Sequence, residues 1–274
     1  MSDSTIAFIG GGNMASSLIG GLLNRGWSRE GLVAADPSAE ARERIAGEFR
    51  IRVSGDNAEA ARGADVVVLA VKPQVMADVA RGLADTLAES RPLVISIAAG
   101  VPTAALAGWL GSGTALVRVM PNTPALIGEG ASALFANQNV TQAQRALAES
   151  LLKAAGETTW VDDEDLMHAV TALSGSGPAY FFYLLEALIA AGRDAGLPEE
   201  LARRLVMKTG QGACAMALEG DESPAALRAR VTSPGGTTER AIEILEEAGS
   251  RDAVRRAVLG ATERSRELAS KLED

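Results

Sequence analysis

Six short apolar runs, separated by stretches of helical spacing, constrain this chain more than any other feature of its sequence. The runs lie at residues 5–9, 32–35, 51–53, 66–71, 93–97 and 115–120. The stretches between them lie at 14–23, 40–49, 58–62, 75–87 and 103–110. Residues 66–71 are apolar almost throughout, as a strand covered on both faces requires. Such alternation predicts a parallel sheet flanked by helices, and right-handed crossovers leave a doubly wound α/β sheet as its topology. Two more strands are expected at 132–135 and 158–161, with a helix at 143–155 between them.

Beyond residue 162 strand signals largely stop, which places a boundary near 160–164. Helices are expected at 163–173, 178–195, 199–219, 224–230, 237–247 and 251–271, with Gly196-Leu197-Pro198 ending one and opening the next. Small-residue faces at 187–191 and 210–217 suit either an oligomer interface or an ordinary bundle core, and the core is the simpler reading.

Composition removes several classes of function. Of 274 residues 47% are hydrophobic and 22% charged, which is globular and not disordered. The net charge of -9 opposes nucleic-acid binding. No apolar run is long enough for a membrane span. The acidic, strand-leading N-terminus is not that of a signal peptide, so a cytoplasmic location is expected. Cys214 and His168 are each the sole residue of their type, which leaves no disulfide, no Cys-cluster metal site and no multi-His zinc centre.

The first chemical motif is Gly10-Gly11-Gly12-Asn13-Met14-Ala15, a G-x-G-x-x-A placed after a strand and opening a helix. Gly10 allows the tight turn, Gly12 lets a pyrophosphate approach the backbone, and Ala15 lets the helix sit against the strand. In that context the motif predicts dinucleotide binding. Asp36 follows the second strand. It either accepts from an adenosine 2′-hydroxyl, which favours NAD over NADP, or only helps cap the next helix, while Arg42 and Arg44 lie near enough in sequence to offset its charge. Val71-Lys72-Pro73, Ala98-Ala99-Gly100 and Met120-Pro121-Asn122-Thr123-Pro124 end three further strands, where doubly wound sheets place their ligands. In the second half, Ser174-Gly175-Ser176-Gly177-Pro178 breaks two helices. Ser233-Pro234-Gly235-Gly236-Thr237-Thr238 precedes the helix at 237–247 and reads as an anion site or a capped loop.

The set FIGGGNMA, AVKPQ, SIAAGV, RVMPNTPA, ALSGSGPAY and VTSPGGTT, in this order and spacing, resembles pyrroline-5-carboxylate reductase over nearly the whole chain. The resemblance implies a Rossmann domain at 1–162 and an all-helical dimerisation and substrate-binding domain at 163–274. It implies reduction of 1-pyrroline-5-carboxylate to L-proline by NADPH, with NADH also accepted, and a homodimer or ring of dimers. Ser233, Gly236, Thr237 and Thr238 would hold the substrate, with Thr238 at the ring nitrogen as the catalytic group. Gly10, Gly11, Gly12, Asn13, Met14, Ala15, Asn57, Val71, Lys72, Pro73, Ala98, Ala99, Gly100 and Asn122 would contact the cofactor, and Asp36 is a departure from relatives that prefer NADPH.

The residue inventory suits that chemistry. A cyclic imine is basic enough to enter protonated, so its reduction needs orientation and a hydroxyl more than a strong acid. His168 is expected to be structural, Cys214 a buried small hydrophobe, and Tyr180 the start of an aromatic run packed in the core. Two rivals remain. A β-hydroxyacid dehydrogenase would carry a catalytic Lys where this chain has Phe181, and Lys153 and Lys208 are distant in sequence. A dinucleotide-binding regulator without turnover would have no use for the 233–238 loop.

Overall fold

In the computed structural model, which describes residues 4–271, side-chain parity along the central strands sets the architecture. The N-terminal residues 1–3, on which the signal-peptide reading partly rests, lie outside the described residues. In β1 (Ile6–Ile9), Ile6 and Phe8 join one apolar layer, Ala7 and Ile9 the other. Strand β2 (Leu32–Ala35) is followed by β3 (Arg52–Ser54) and then β4 (Val66–Leu69), where Val66 and Val68 divide from Val67 and Leu69 in the same way. Successive strand residues face opposite sides, so strands apolar at every position need cover on both. The first layer is completed by α1 (Asn13–Asn24), α2 (Ala39–Phe49) and α6 (Gln142–Leu152). The second is completed by α3 (Asn57–Ala61), α4 (Met76–Ser90) and α5 (Thr103–Leu110).

The remaining strands are β5 (Leu93–Ser96), β6 (Ala115–Met120), β7 (Gly130–Ala136) and β8 (Gly156–Trp160), and the sheet order is β3-β2-β1-β4-β5-β6-β7-β8. The first six strands are parallel, β7 runs antiparallel to β6, and β8 is parallel to β7. The reversal follows from chain length: residues 121–129 are fewer than the dozen or so that a crossover needs. Edge strand β8 is covered from α6. The Trp160 indole donates to Glu149 Oε2 at 3.1 Å, and the Arg145 guanidinium lies 4.1 Å from the ring centroid.

Two elements differ from the sequence reading. Strand β4 stops at Leu69 rather than at residue 71, because its neighbour β1 turns away at Gly10. The helix expected over 163–173 is a short α7 (Leu166–Val170) that widens into a π-helical turn over Thr171–Gly175. There the Thr171 and Ser174 hydroxyls donate to the carbonyls of Met167 and Val170, while the Ser176 N–H reaches back to Thr171 O.

The chain separates into two compact units, one reaching to Ser176 and resuming at Gly260, the other Gly177–Leu259. The second unit holds α8 (Gly177–Asp194), α9 (Glu199–Glu219), α10 (Pro224–Arg230), α11 (Thr237–Glu247) and the first part of α12 (Ser250–Ser270). Between residues 177 and 259 only Gly177 and Ala202 are buried. The bundle core expected here is therefore absent. Phe181, Phe182 and Tyr183 are 60%, 62% and 75% exposed, and Cys214 is exposed as well. These corrections share one cause: the apolar helix faces have too few partners within their own unit. His168, in contrast, is buried, with Nδ1 2.9 Å from Ser265 Oγ.

Candidate active site

The turn after β1 is shaped by its glycines. Gly10 has φ +101°, and a Cβ there would lie 2.7 Å from the carbonyl oxygen of Ala70, so no other residue fits. At Gly12 a Cβ would meet nothing within 4 Å, and the space in front of the turn is open. Gly12 is also the N-cap of α1, with no side-chain cap and no acidic residue in the first turn. The N–H groups at Asn13, Met14 and Ala15 thus open the helix without a competing side chain, and its positive dipole end faces the space a Cβ would fill. The residues fit a dinucleotide pyrophosphate.

Asp36 closes the turn from the β2 side. Its Oδ2 accepts the Gly11 N–H at 2.8 Å and its Oδ1 the Ser38 N–H at 2.9 Å, while the α2 cap is Ser38 itself. Both arginines noted in the sequence meet this region. Arg42 donates to the carbonyls of Asp36 and Pro37, and Arg44 to Gly11 O at 2.6 Å and Ser16 Oγ at 3.2 Å. Sequence reasoning noticed Arg44 as a charge but missed that it clamps the glycine turn, since a bond across 33 residues leaves no local pattern.

The other strand ends converge at the same edge. Val71 is half-buried, Lys72 exposed, and Pro73 begins a 3-10 turn after β4. Asn57 opens α3 next to its cap, Asp56. Pro73, Gln74, Ala99, Gly100, Thr171 and Ser176 line part of a cavity of about 430 Å³, which is completed by α12 residues including Arg264 and Ser265. Ala98 is buried just before it. Asn122 is committed on both sides of its amide: it donates to Ser174 O at 3.2 Å and accepts the Ala131 N–H at 2.9 Å. It therefore ties the loop after β6 to the π turn and to β7.

In the helical unit, the 233–238 loop also opens a helix without a side-chain cap, since Gly236 is the N-cap of α11. Gly235 has φ +71°. The Gly236 N–H donates to Ser233 O at 3.0 Å, and the Gly235 N–H to Glu239 Oε2 at 2.7 Å. That leaves the N–H groups of Thr237 and Thr238 at the helix start. Thr238 is half-buried, Ser233 and Thr237 are exposed, and the Thr238 hydroxyl makes no hydrogen bond among the described residues. Glu239 was missed by sequence reasoning, although a carboxylate in the first turn of a helix is a recognisable capping signal.

The chain matches the family model for pyrroline-5-carboxylate reductase dimerisation over residues 164–268 and that for NADP oxidoreductase, coenzyme F420-dependent, over 5–100. It is 53% identical over 99% of both chains to the pyrroline-5-carboxylate reductase of Pseudomonas aeruginosa. This chain belongs to the pyrroline-5-carboxylate reductase family. The family relation extends to Haemophilus influenzae at 44% identity over 98% of both chains. Among solved structures, the Coxiella burnetii pyrroline-5-carboxylate reductase superposes with a TM-score of 0.94 at 43% identity, covering 98% of this chain and 99% of that one. The Plasmodium falciparum enzyme, solved with NADP bound, gives 0.88 at 32% identity over 98% and 99%. An Aquifex aeolicus prephenate dehydrogenase shares the fold alone, at TM-score 0.54 and 16% identity.

Proposed function

We propose that this chain reduces 1-pyrroline-5-carboxylate to L-proline, the last step of proline synthesis, with NADPH as reductant and NADH also accepted. The reading rests on one observation above all, the end-to-end kinship with reductases of that name. When bound, the dinucleotide supplies the hydride. The chain's residues do the rest. Gly12, Asn13, Met14 and Ala15 hold the pyrophosphate through N–H groups and the α1 dipole, and Asp36 meets the adenosine ribose. Asn57, Val71, Lys72, Pro73, Ala98, Gly100 and Asn122 surround the remainder of the dinucleotide, with Gly10 and Gly11 shaping its turn. The N–H groups at the start of α11 hold the imine's carboxylate between Ser233, Gly236 and Thr237. The Thr238 hydroxyl orients the ring nitrogen, and the imine's own basicity carries the proton. The sheet unit, which runs to Ser176 and resumes at Gly260 where the sequence placed a boundary near 162, serves the dinucleotide, and the helical unit serves the substrate and self-association, in a homodimer or a ring of dimers within the cytoplasm.

The test is a kinetic comparison of Thr238→Ala and Thr238→Ser. Losing one hydrogen bond predicts a fall in kcat/KM of about ten- to a hundredfold, roughly 1–3 kcal/mol, with dinucleotide affinity unchanged. Thr238→Ser should retain most activity. Unchanged kcat/KM in Thr238→Ala, or lost dinucleotide binding in its place, removes the residue from the site.

A further inference from the structure

Glu164 lies between β8 and α7, outside every motif described above, and both of its carboxylate oxygens are occupied. Oε1 accepts from the Thr103 N–H at 2.8 Å and from Arg118 Nη1 at 2.9 Å; Oε2 accepts from the Thr103 hydroxyl at 2.5 Å. Thr103 is the first residue of α5, whose N-cap, Pro102, offers no side-chain acceptor. A carboxylate 61 residues away in sequence therefore caps this helix and meets its positive dipole end. Arg118, on β6 directly opposite Ser96 of β5, is 3% exposed, and a guanidinium so buried needs an anion.

The segment fixed in this way is the one that matters for chemistry. Residues 97–102 run from the end of β5 to α5, and within them Ala99 and Gly100 line the 430 Å³ cavity beside Pro73 and Gln74. The loop is held at one end by the Ser96 hydroxyl, which accepts the Ala98 N–H at 3.4 Å, and at the other by Glu164 on Thr103. Thr171 and Ser176, which also line the cavity, are the first residue and the C-cap of the π turn that follows Glu164 in the chain. One carboxylate thus ties the start of α5, at the end of the cavity loop, to β6.

We propose that Glu164 is a positioning residue for the nicotinamide end of the dinucleotide: through Thr103 and Arg118 it fixes the Ala98–Gly100 loop against which that ring lies. This rests on the reading of the cavity at the β4 and β5 ends as part of the dinucleotide site. Glu164→Gln keeps the volume and one acceptor oxygen but removes the charge facing Arg118. The test compares NADPH with 2′-phospho-ADP-ribose, which shares everything but the nicotinamide end. For Glu164→Gln, NADPH binding should weaken about tenfold and kcat fall by a similar factor, while 2′-phospho-ADP-ribose binds within about twofold of wild type. Equal weakening of both ligands, or no weakening of either, overturns the proposal. Thr103→Val, which loses only the hydroxyl donor, is read by the same criteria if Glu164→Gln does not fold. The binding comparison contains no imine, so its outcome is separate from that of the proposed reductase activity.

Discussion

Asp36 is the residue proposed to meet the ribose of the dinucleotide. Its two carboxylate oxygens are pinned by the Gly11 and Ser38 N–H groups, so its charge is held against the glycine turn. Arg44, on Gly11 O and Ser16 Oγ, clamps the same turn with a cation. Asp36→Ser should raise the NADPH-to-NADH ratio of kcat/KM several-fold, because a 2′-phosphate no longer meets a fixed negative charge. An unchanged ratio would mean that Asp36 serves only to join the two loops. His168 is the second residue with a measurable consequence. Burial, then the charge of Arg118, holds its pKa below the ordinary 6.5, against the pull of Asp165 and Glu164. A depressed histidine pKa leaves stability intact above the ordinary value and erodes it as pH falls below that value toward the folded one. The urea midpoint of wild type should therefore drop more than that of His168→Gln between pH ~7 and ~5, and equal drops would remove this account of the histidine. Single residues were only partly legible in the sequence. The glycine turn declares its chemistry locally, whereas the partners of Asn122, Glu164 and His168 lie 52, 61 and 97 residues away and are set by the fold alone.

Among the elements, strands and long helices were readable because their periodicity is dictated by burial. Every strand of β1–β6 falls within a residue or two of its apolar run. The π turn was not readable, since it depends on hydroxyls donating back to carbonyls rather than on any hydrophobic pattern. The direction of β7 depended on counting the connection before it. The 233–238 loop depends on a left-handed glycine. Gly235 sits at φ +71°, where a Cβ costs about 1 kcal/mol or more. Gly235→Ala should raise KM for the imine and leave dinucleotide affinity unchanged, as read by initial rates and NADPH titration; intact kinetics would show that the loop's left-handed turn has no part in binding.

For the molecule as a whole, the decisive feature is the helical unit that buries almost nothing of its own. Leu184, Leu188, Leu205 and Leu218 are 54%, 47%, 50% and 81% exposed beside the aromatic run of α8. Water in contact with so much apolar surface costs enough free energy that a second copy is the natural cover, as the match to a dimerisation family agrees. Sequence reasoning placed these helices correctly but assigned their apolar faces inward, because periodicity tells which face is buried and not against which chain. A charge in the middle of the exposed run, Phe182→Glu, should shift sedimentation from the oligomer toward the single chain; an unshifted profile would place the interface elsewhere. Imine reduction is tested most directly by supplying purified wild-type protein with NADPH and 1-pyrroline-5-carboxylate and following both NADPH and proline. The account predicts one proline formed for each NADPH consumed, and no NADPH formed when a 3-hydroxy acid and oxidised dinucleotide are supplied in their place. Dinucleotide binding without proline formation, or turnover of the hydroxy acid, would contradict it.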